Sequence, residues 1–319
     1  MPLLNRERLL VPRGEVAEGM ERDAAAGNRV AVSPHLPGRV SALLRAGLFA
    51  TCANPHCGSG WLHLWRSREA PVFEEGWCCS SDCMAARVAA ALSREMDGRA
   101  SAGESHRHRI PLGLVLMEKG WISHQELRAA LAAQRDAGAG RLGHWLVRHG
   151  SVSEDRVARA LGLQWGCPVL GTELSNPEGL TALVPRLFVD AFGALPMRVA
   201  AGRLFYMGFA DHLDPALALA VERMTGLQVE SGLVRESVFR PAHARILEAR
   251  FPAVELIEAA TEPALAAALA MAVERTRPVE SRLVRVHDCL WLRMWLKAQN
   301  GPVPEACSVR DLIGSAAAH

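Results

Sequence analysis

The chain has 319 residues, half of them hydrophobic and 22% charged, with a formal net charge of +2. So large an apolar fraction excludes a wholly disordered chain, and so small a charge excludes an electrostatic grip on nucleic acid or a membrane surface. The longest apolar run, Ala264 to Val273, is about half the length needed to span a bilayer. Met1 to Arg13 has no continuous apolar core, so no signal peptide is read there and a cytoplasmic location is expected.

Residues 1–47 alternate charged, Gly and Pro residues and are expected to form a loosely ordered lead-in with a short helix around Gly38 to Ala46. Residues 48–97 hold five of the eight cysteines. In a protein without a secretion signal such a cluster favours metal binding over disulfides. Cys52-Ala-Asn-Pro-His-Cys57 is a C-x4-C turn, and Cys78-Cys79-Ser-Ser-Asp-Cys83 offers either C-x4-C or C-x3-C before a helix expected over Met84 to Met96. Zinc takes four such ligands at tetrahedral angles, which two turns can supply from opposite sides. A knuckle followed by ligands entering a helix resembles treble-clef zinc fingers, the FCS type in particular. That likeness implies Cys52, Cys57, Cys79 and Cys83 as ligands of a structural Zn²⁺. Cys78 can exchange with Cys79, and His56 or His63 can replace a thiolate. Residues 98–109 read as a polar linker in which His106 and His108 are solvated.

An internal repeat follows. Leu112 to Gln134 reads LGLVLMEKGWISHQELRAALAAQ and Leu142 to Gln164 reads LGHWLVRHGSVSEDRVARALGLQ. Leu112, Gly113, Leu116, Gly120, Ser123, Leu131 and Gln134 recur at a constant offset as Leu142, Gly143, Leu146, Gly150, Ser153, Leu161 and Gln164. Each copy predicts a short helix, a glycine stop and a second helix capped by serine, with Glu126 completing a capping box in the first copy. Beyond the repeat, Cys167 to Leu170 reads as a strand and Pro177 to Val184 as a helix. Leu195 to Val199 and Arg203 to Ala210 read as a strand pair turning at Ala201-Gly202. A helix over Asp214 to Thr225, a strand over Leu227 to Leu233 and a helix over Glu236 to Glu248 complete a small α/β unit. Residues 251–319 are expected to be helical, with Thr261 capping one helix to Thr276 and a second over Val284 to Lys297 that buries Leu290, Trp291 and Trp295. His287 and Asp288 would form a satisfied core pair on that second helix.

The expected fold is therefore α+β: tandem helical hairpins followed by a small α/β subdomain, behind a zinc-finger module and ahead of C-terminal helices. Residues 110–250 resemble the MshEN-type N-terminal domain of type II secretion and type IV pilus assembly ATPases (the GspE family). The family's motif, RLGxxLLxxGLLxxxxLxxxLxxQ, occurs there twice; Phe209-Ala-Asp-His-Leu-Asp-Pro215 and Thr225-Gly226 also match its pattern. The resemblance implies cyclic di-GMP as ligand, held by Arg141, Leu142, Gly143, Leu146 and Gln164 in one half-site and by Leu112, Gly113, Leu116 and Gln134 in the other. Arg141 would contact a base, because a guanidinium fork matches guanine O6 and N7. The first copy has Pro111 where the family has arginine, with Arg109 two residues upstream. The glycine after Leu142 would let a ligand approach the backbone.

No G-x-x-x-x-G-K-[ST] phosphate loop occurs in the sequence. Gly138-Ala-Gly140-Arg-Leu-Gly143 fits G-x-G-x-x-G but follows a helix, which is the wrong context for a dinucleotide fold. The chain is thus expected to be non-enzymatic, and two function classes stay open. One is a signalling adaptor that senses cyclic di-GMP. The other is a ligand-free scaffold that docks a secretion or pilus assembly protein.

Overall fold

The computed structural model describes residues 52–58, 71–101, 109–171, 177–210, 212 and 214–316. The expected lead-in over 1–47, with its short helix, lies outside the described residues, as do His63, His106 and His108. All described residues fall in one compact unit, Gly38–His319, and no helix among them is long and apolar enough to cross a membrane.

A two-stranded hairpin, β1 (Val72–Phe73) and β2 (Gly76–Trp77), turns through Glu74 and Glu75, both at positive φ. Helix α1 (Ser81–Ser101) follows with Asp82 in its first turn, where a carboxylate meets the positive end of the helix dipole. The helix runs past the expected Met96 into the segment read as linker.

The repeat gives α2 (Leu112–Glu118), α3 (His124–Ala137), α4 (Leu142–Arg148) and α5 (Glu154–Trp165). Gly120 and Gly150 stand at φ 66° and 72° after the short helices, the left-handed conformation that stops them. Ser123 and Glu126 form the capping box on α3. Packing then crosses between copies: α2 lies against α5, and α3 against α4. Val115, Leu116, Ala130, Leu146, Val157 and Ala160 close one core drawn from both copies. The two copies are thus one cooperative body instead of two self-contained hairpins.

The next unit begins with a 3₁₀ turn over Pro177–Leu180, all that forms of the helix expected to reach Val184. Then come α6 (Arg186–Ala191), β3 (Ala194–Ala200), β4 (Leu204–Phe209), α7 (Pro215–Thr225), β5 (Gln228–Leu233) and α8 (Glu236–Leu247). The strand order is β3-β4-β5, antiparallel then parallel. Asp214 caps α7 through its side chain, and Gly226 ends it. Cys167 to Leu170 contributes a single bridge, from Val169 to Leu233.

The C-terminal region departs from expectation. It is not a helical extension but a four-stranded sheet with one helix: β6 (Ala253–Ala259), α9 (Glu262–Thr276), β7 (Glu280–Val286), β8 (Cys289–Trp295) and β9 (Val309–Ala316). The order is β6-β9-β8-β7, with β6 and β9 parallel and the rest antiparallel. Only α9, capped by Thr261, is the helix the sequence predicts. Side chains alternate across β8: Leu290, Leu292 and Met294 face α9 and α1, while Trp291 and Trp295 face the β3–β5 unit. Both faces of this strand are covered, so its side chains are apolar on both sides except for Arg293.

Arg293 shares the inner face with Trp291 and is fully buried beside Asp311 of β9. Asp311 accepts from Arg293 Nε and Nη2 at 2.7 Å each and from Trp291 Nε1 at 2.8 Å, and Arg293 Nη1 donates to the Leu183 carbonyl. Every charge in the pair is matched by directed hydrogen bonds, as a buried ion pair requires. Elsewhere Glu95 of α1, also buried, accepts from both Nη atoms of Arg223 on α7 and from the Arg285 amide on β7. Burial alone would raise its pKa, but the Arg223 hydrogen bonds and charge outweigh burial and hold it below the ordinary carboxylate value.

Candidate functional site

Two constellations stand out. In the first, the Sγ atoms of Cys52, Cys57, Cys79 and Cys83 all lie within 4.8 Å of one another. Three local devices bring them there. Asn54 accepts through its side chain from the His56 amide and through its carbonyl from the Cys57 amide, which closes the first turn. The Ala53 amide donates to the Trp77 carbonyl and docks that turn beside β2. The start of α1 then carries Cys83 one helical turn beyond Cys79. Cys57 and Cys79 sulfurs are 3.4 Å apart, and Cys79 and Cys83 sulfurs 3.7 Å. A tetrahedral ion with bonds of about 2.3 Å to sulfur separates its ligands by roughly 3.8 Å, so the set can hold a metal. The Cys79 amide and Asn54 Nδ2 also point at Cys52 and Cys83 sulfurs, polarity that favours thiolates.

Cys78 is not in the group, and burial pushes its thiol up to about 11. The competition between Cys78 and Cys79 left open by the spacing thus falls to Cys79 geometrically. Nor is the cluster a separate finger. Cys78, Cys79, Cys83, Met84, Val88 and Leu92 pack in one core with Leu265 and Leu269 of α9 and Leu292 of β8.

The second constellation surrounds Arg141, the residue preceding α4. A cavity of about 460 Å³ is lined by Arg141, Leu142, Gly143 and Leu112 on one side and by Arg235, Glu236, Ser237 and Arg240 at the start of α8, with Glu154 of α5, on the other. Arg141 and Arg240 also border an adjoining cavity of about 700 Å³ with His144, His212, Phe192 and Phe239. Glu154, in the first turn of α5, accepts from the Ser237 amide and hydroxyl at 2.6 Å each, which fixes α8 against the second repeat copy. Glu236 pairs with Arg240 at 2.7 Å. The sequence offers no signal for the α8 residues, because they come from a distant element.

The residues expected as ligand contacts separate into two groups. Arg141, Leu142, Gly143 and Leu112 line the smaller cavity. Leu116 and Leu146 are fully buried in the repeat core. Gln134 Nε2 donates to the Gly140 carbonyl at 2.8 Å, and Gln164 Nε2 to the Ile110 carbonyl at 2.7 Å, equivalent bonds that anchor the start of the opposite copy. A Cβ on Gly143 would come within 2.8 Å of Val157 Cγ1, and one on Gly113 within 2.8 Å of Leu127 Cδ1. Helix packing, more than ligand approach, explains these glycines. Arg109 stacks over the Trp165 ring at 3.2 Å. His287 and Asp288 sit in the β7–β8 turn, where His287 Nε2 lies 2.7 Å from Asp214 Oδ2, so they form no core pair on a helix.

Together these features define an α+β protein with a metal-competent thiol cluster and a repeat-lined cavity. No family model matches the chain. It is 31% identical over 137 residues (42% of this chain, 15% of the relative) to the type IV pilus assembly ATPase PilB of Thermus thermophilus. It is 28% identical over 148 residues (45% of this chain, 25% of the relative) to PilB of Myxococcus xanthus. The chain therefore spans a quarter or less of these relatives' length. The solved structure of MshE with cdg (cyclic di-GMP) overlaps 43% of this chain and 99% of that chain, at 24% identity and a TM-score of 0.35. Over about two-fifths of its length, then, the chain is similar to part of the type IV pilus assembly ATPase PilB.

Proposed function

We propose that this chain is a non-enzymatic cytoplasmic adaptor of the secretion and pilus ATPase kind, which binds cyclic di-GMP through its second repeat copy. The observation that carries the reading is Arg141 on a cavity floored by Leu112, Leu142 and Gly143 and faced by Arg235 and Arg240. A guanidinium matches the two acceptors of a guanine edge, an apolar floor suits the base face, and further arginines suit phosphates. The metal is zinc, held by Cys52, Cys57, Cys79 and Cys83. Four thiolates leave no position for water, so its role is structural. The partner would be a secretion or pilus assembly protein.

A ligand-free scaffold is the second reading. What favours it is that Leu116, Leu146, Gly113, Gly143, Gln134 and Gln164 are all engaged in packing or backbone hydrogen bonds. Calorimetry of the purified chain with cyclic di-GMP separates the two. The sensor reading expects binding that Arg141→Ala abolishes and Pro111→Arg strengthens. A missing charge-assisted hydrogen bond is worth roughly 1.5–3 kcal/mol, so Pro111→Arg should tighten binding on the order of tenfold to hundredfold. Absence of heat at high micromolar ligand leaves the scaffold.

A further inference from the structure

We propose that β6 is a dimerisation edge: a second copy of this chain pairs with it antiparallel, about a twofold axis at Leu256, and joins the two C-terminal sheets. The sheet order leaves β6 and β7 as its edges. They are treated differently. At β7, the Glu74 amide donates to the Ser281 carbonyl at 2.8 Å, the Val72 amide to the Pro278 carbonyl at 3.0 Å, and Ser281 Oγ to the Val72 carbonyl, so the β1–β2 hairpin covers that edge. At β6, the only strand partner among the described residues is β9. Its outer row of amides and carbonyls is a template for another strand.

Leu256 stands at the centre of this seven-residue strand with 65% of its surface exposed, the most of any large apolar side chain among the described residues. Natural edges are commonly guarded by proline, lysine or short length, and β6 has none of these. It does carry charge, another common guard, as Glu258 and as Glu255, which is paired with Arg275 at 3.0 Å, and these two glutamates set the register. With the axis at Leu256, Glu255 falls opposite Ile257 of the second copy and Glu258 opposite its Val254, while the two Leu256 side chains meet. Shifting the axis between Leu256 and Ile257 would set Glu255 against Glu258 twice, like charges that destabilise a cross-strand pair. The strand is also charged along its length. Arg250 and Arg310 are exposed at its beginning, Arg310 being in register with Ala253, and Glu258 and Glu262 are exposed at its end. Antiparallel pairing brings each basic end to an acidic end, and parallel pairing would not. A self-complementary patch of this kind is what an isologous twofold interface needs.

Sedimentation velocity on the full chain across roughly 1–200 µM, the range in which a modest interface titrates, should show a monomer–dimer equilibrium. Leu256→Lys should raise the dimer dissociation constant at least about tenfold while leaving thermal stability unchanged at dilutions where both proteins are monomeric, because the side chain is exposed. Leu256→Cys, oxidised and digested, should yield a peptide linked to itself through position 256. A chain monomeric at every concentration, or captured there only by a different protein, overturns the proposal. So does a dimer that Leu256→Lys leaves intact, or one giving no 256–256 linkage.

Discussion

Replacing Asp311 by alanine tests whether the C-terminal sheet is organised around its buried ion pair. Both partners are fully buried, and Asp311 accepts three hydrogen bonds, two from Arg293 and one from Trp291. Asp311→Ala leaves an arginine charge in an apolar layer with the Leu183 carbonyl and the Trp291 ring face as its remaining neighbours, and strands the indole N–H. Breaking one half of a buried pair costs about 3–5 kcal/mol; the orphaned indole adds roughly 1–3 kcal/mol where it cannot find water. At about 2–4 °C per kcal/mol for a chain this long, the melting temperature should fall on the order of 10 °C or more. The double variant Arg293→Met/Asp311→Leu removes both charges together and should recover the ion-pair part of that loss, since an apolar replacement of a buried pair is often neutral, while the Trp291 N–H and the Leu183 carbonyl stay unpaired. Chemical denaturation and thermal melts of the three proteins give the comparison. A loss near 1 kcal/mol or less for Asp311→Ala, or a double variant no better than the single, would refute the reasoning.

Protein purified without added metal should contain about one zinc per chain by elemental analysis, and Cys79→Ser should lower that occupancy far more than Cys78→Ser. Gly143→Ala should destabilise the fold by about 1–3 kcal/mol, because the new methyl would meet Val157; unchanged stability with lost ligand binding would instead return this glycine to a ligand role. The Glu95 carboxyl is held below its unfolded value, so its contribution is present above the ordinary carboxylate range and is lost as pH falls through the lower folded value. Stability measured against pH in wild type and Glu95→Gln should therefore converge on the acid side; curves that stay parallel down to acid would show that Glu95 is not the group involved.

The local grammar of the repeat was readable because each signal rests on a short-range cause. Gly120 and Gly150 stop helices through left-handed backbone, Ser123 caps with Glu126, and Asp214 and Thr261 begin helices through their own side chains. The two cysteine pairs were likewise legible from their local spacing, but that spacing left Cys78 and Cys79 as alternatives, and the gathering of Cys52, Cys57, Cys79 and Cys83 is tertiary. Residues 284–297 were not. Their apolar positions fill both faces, a pattern shared by a buried strand and a buried helix. The turn at His287-Asp288 lacks the glycine or asparagine that normally marks a hairpin, although His287 adopts φ 51°. Arg293 looks like a solvent marker and is instead neutralised by Asp311, a partner in another strand. Likewise the face of the cavity built from Arg235, Ser237 and Arg240 depends on tertiary packing that no local pattern reports.

The two repeat copies show how fold and site divide the sequence between them. What the copies share has a structural cause: leucines at 116 and 146 fill the common core, glycines at 113 and 143 admit Leu127 and Val157, and glutamines at 134 and 164 hold the residue two before the opposite copy. Where the copies differ, at the beginning of each short helix, the residues reach the surface. Gly140, Arg141 and His144 border cavities, and their counterparts are Ile110, Pro111 and Leu114, of which Ile110 and Leu114 are exposed apolar side chains. A recurring motif therefore reports the scaffold, and the positions that break it report what the scaffold presents. On this division the two copies present different surfaces. Arg141 stands beside α4, and α8 is fixed to that copy through Glu154 and Ser237, while Leu112 of the first copy lines the same cavity.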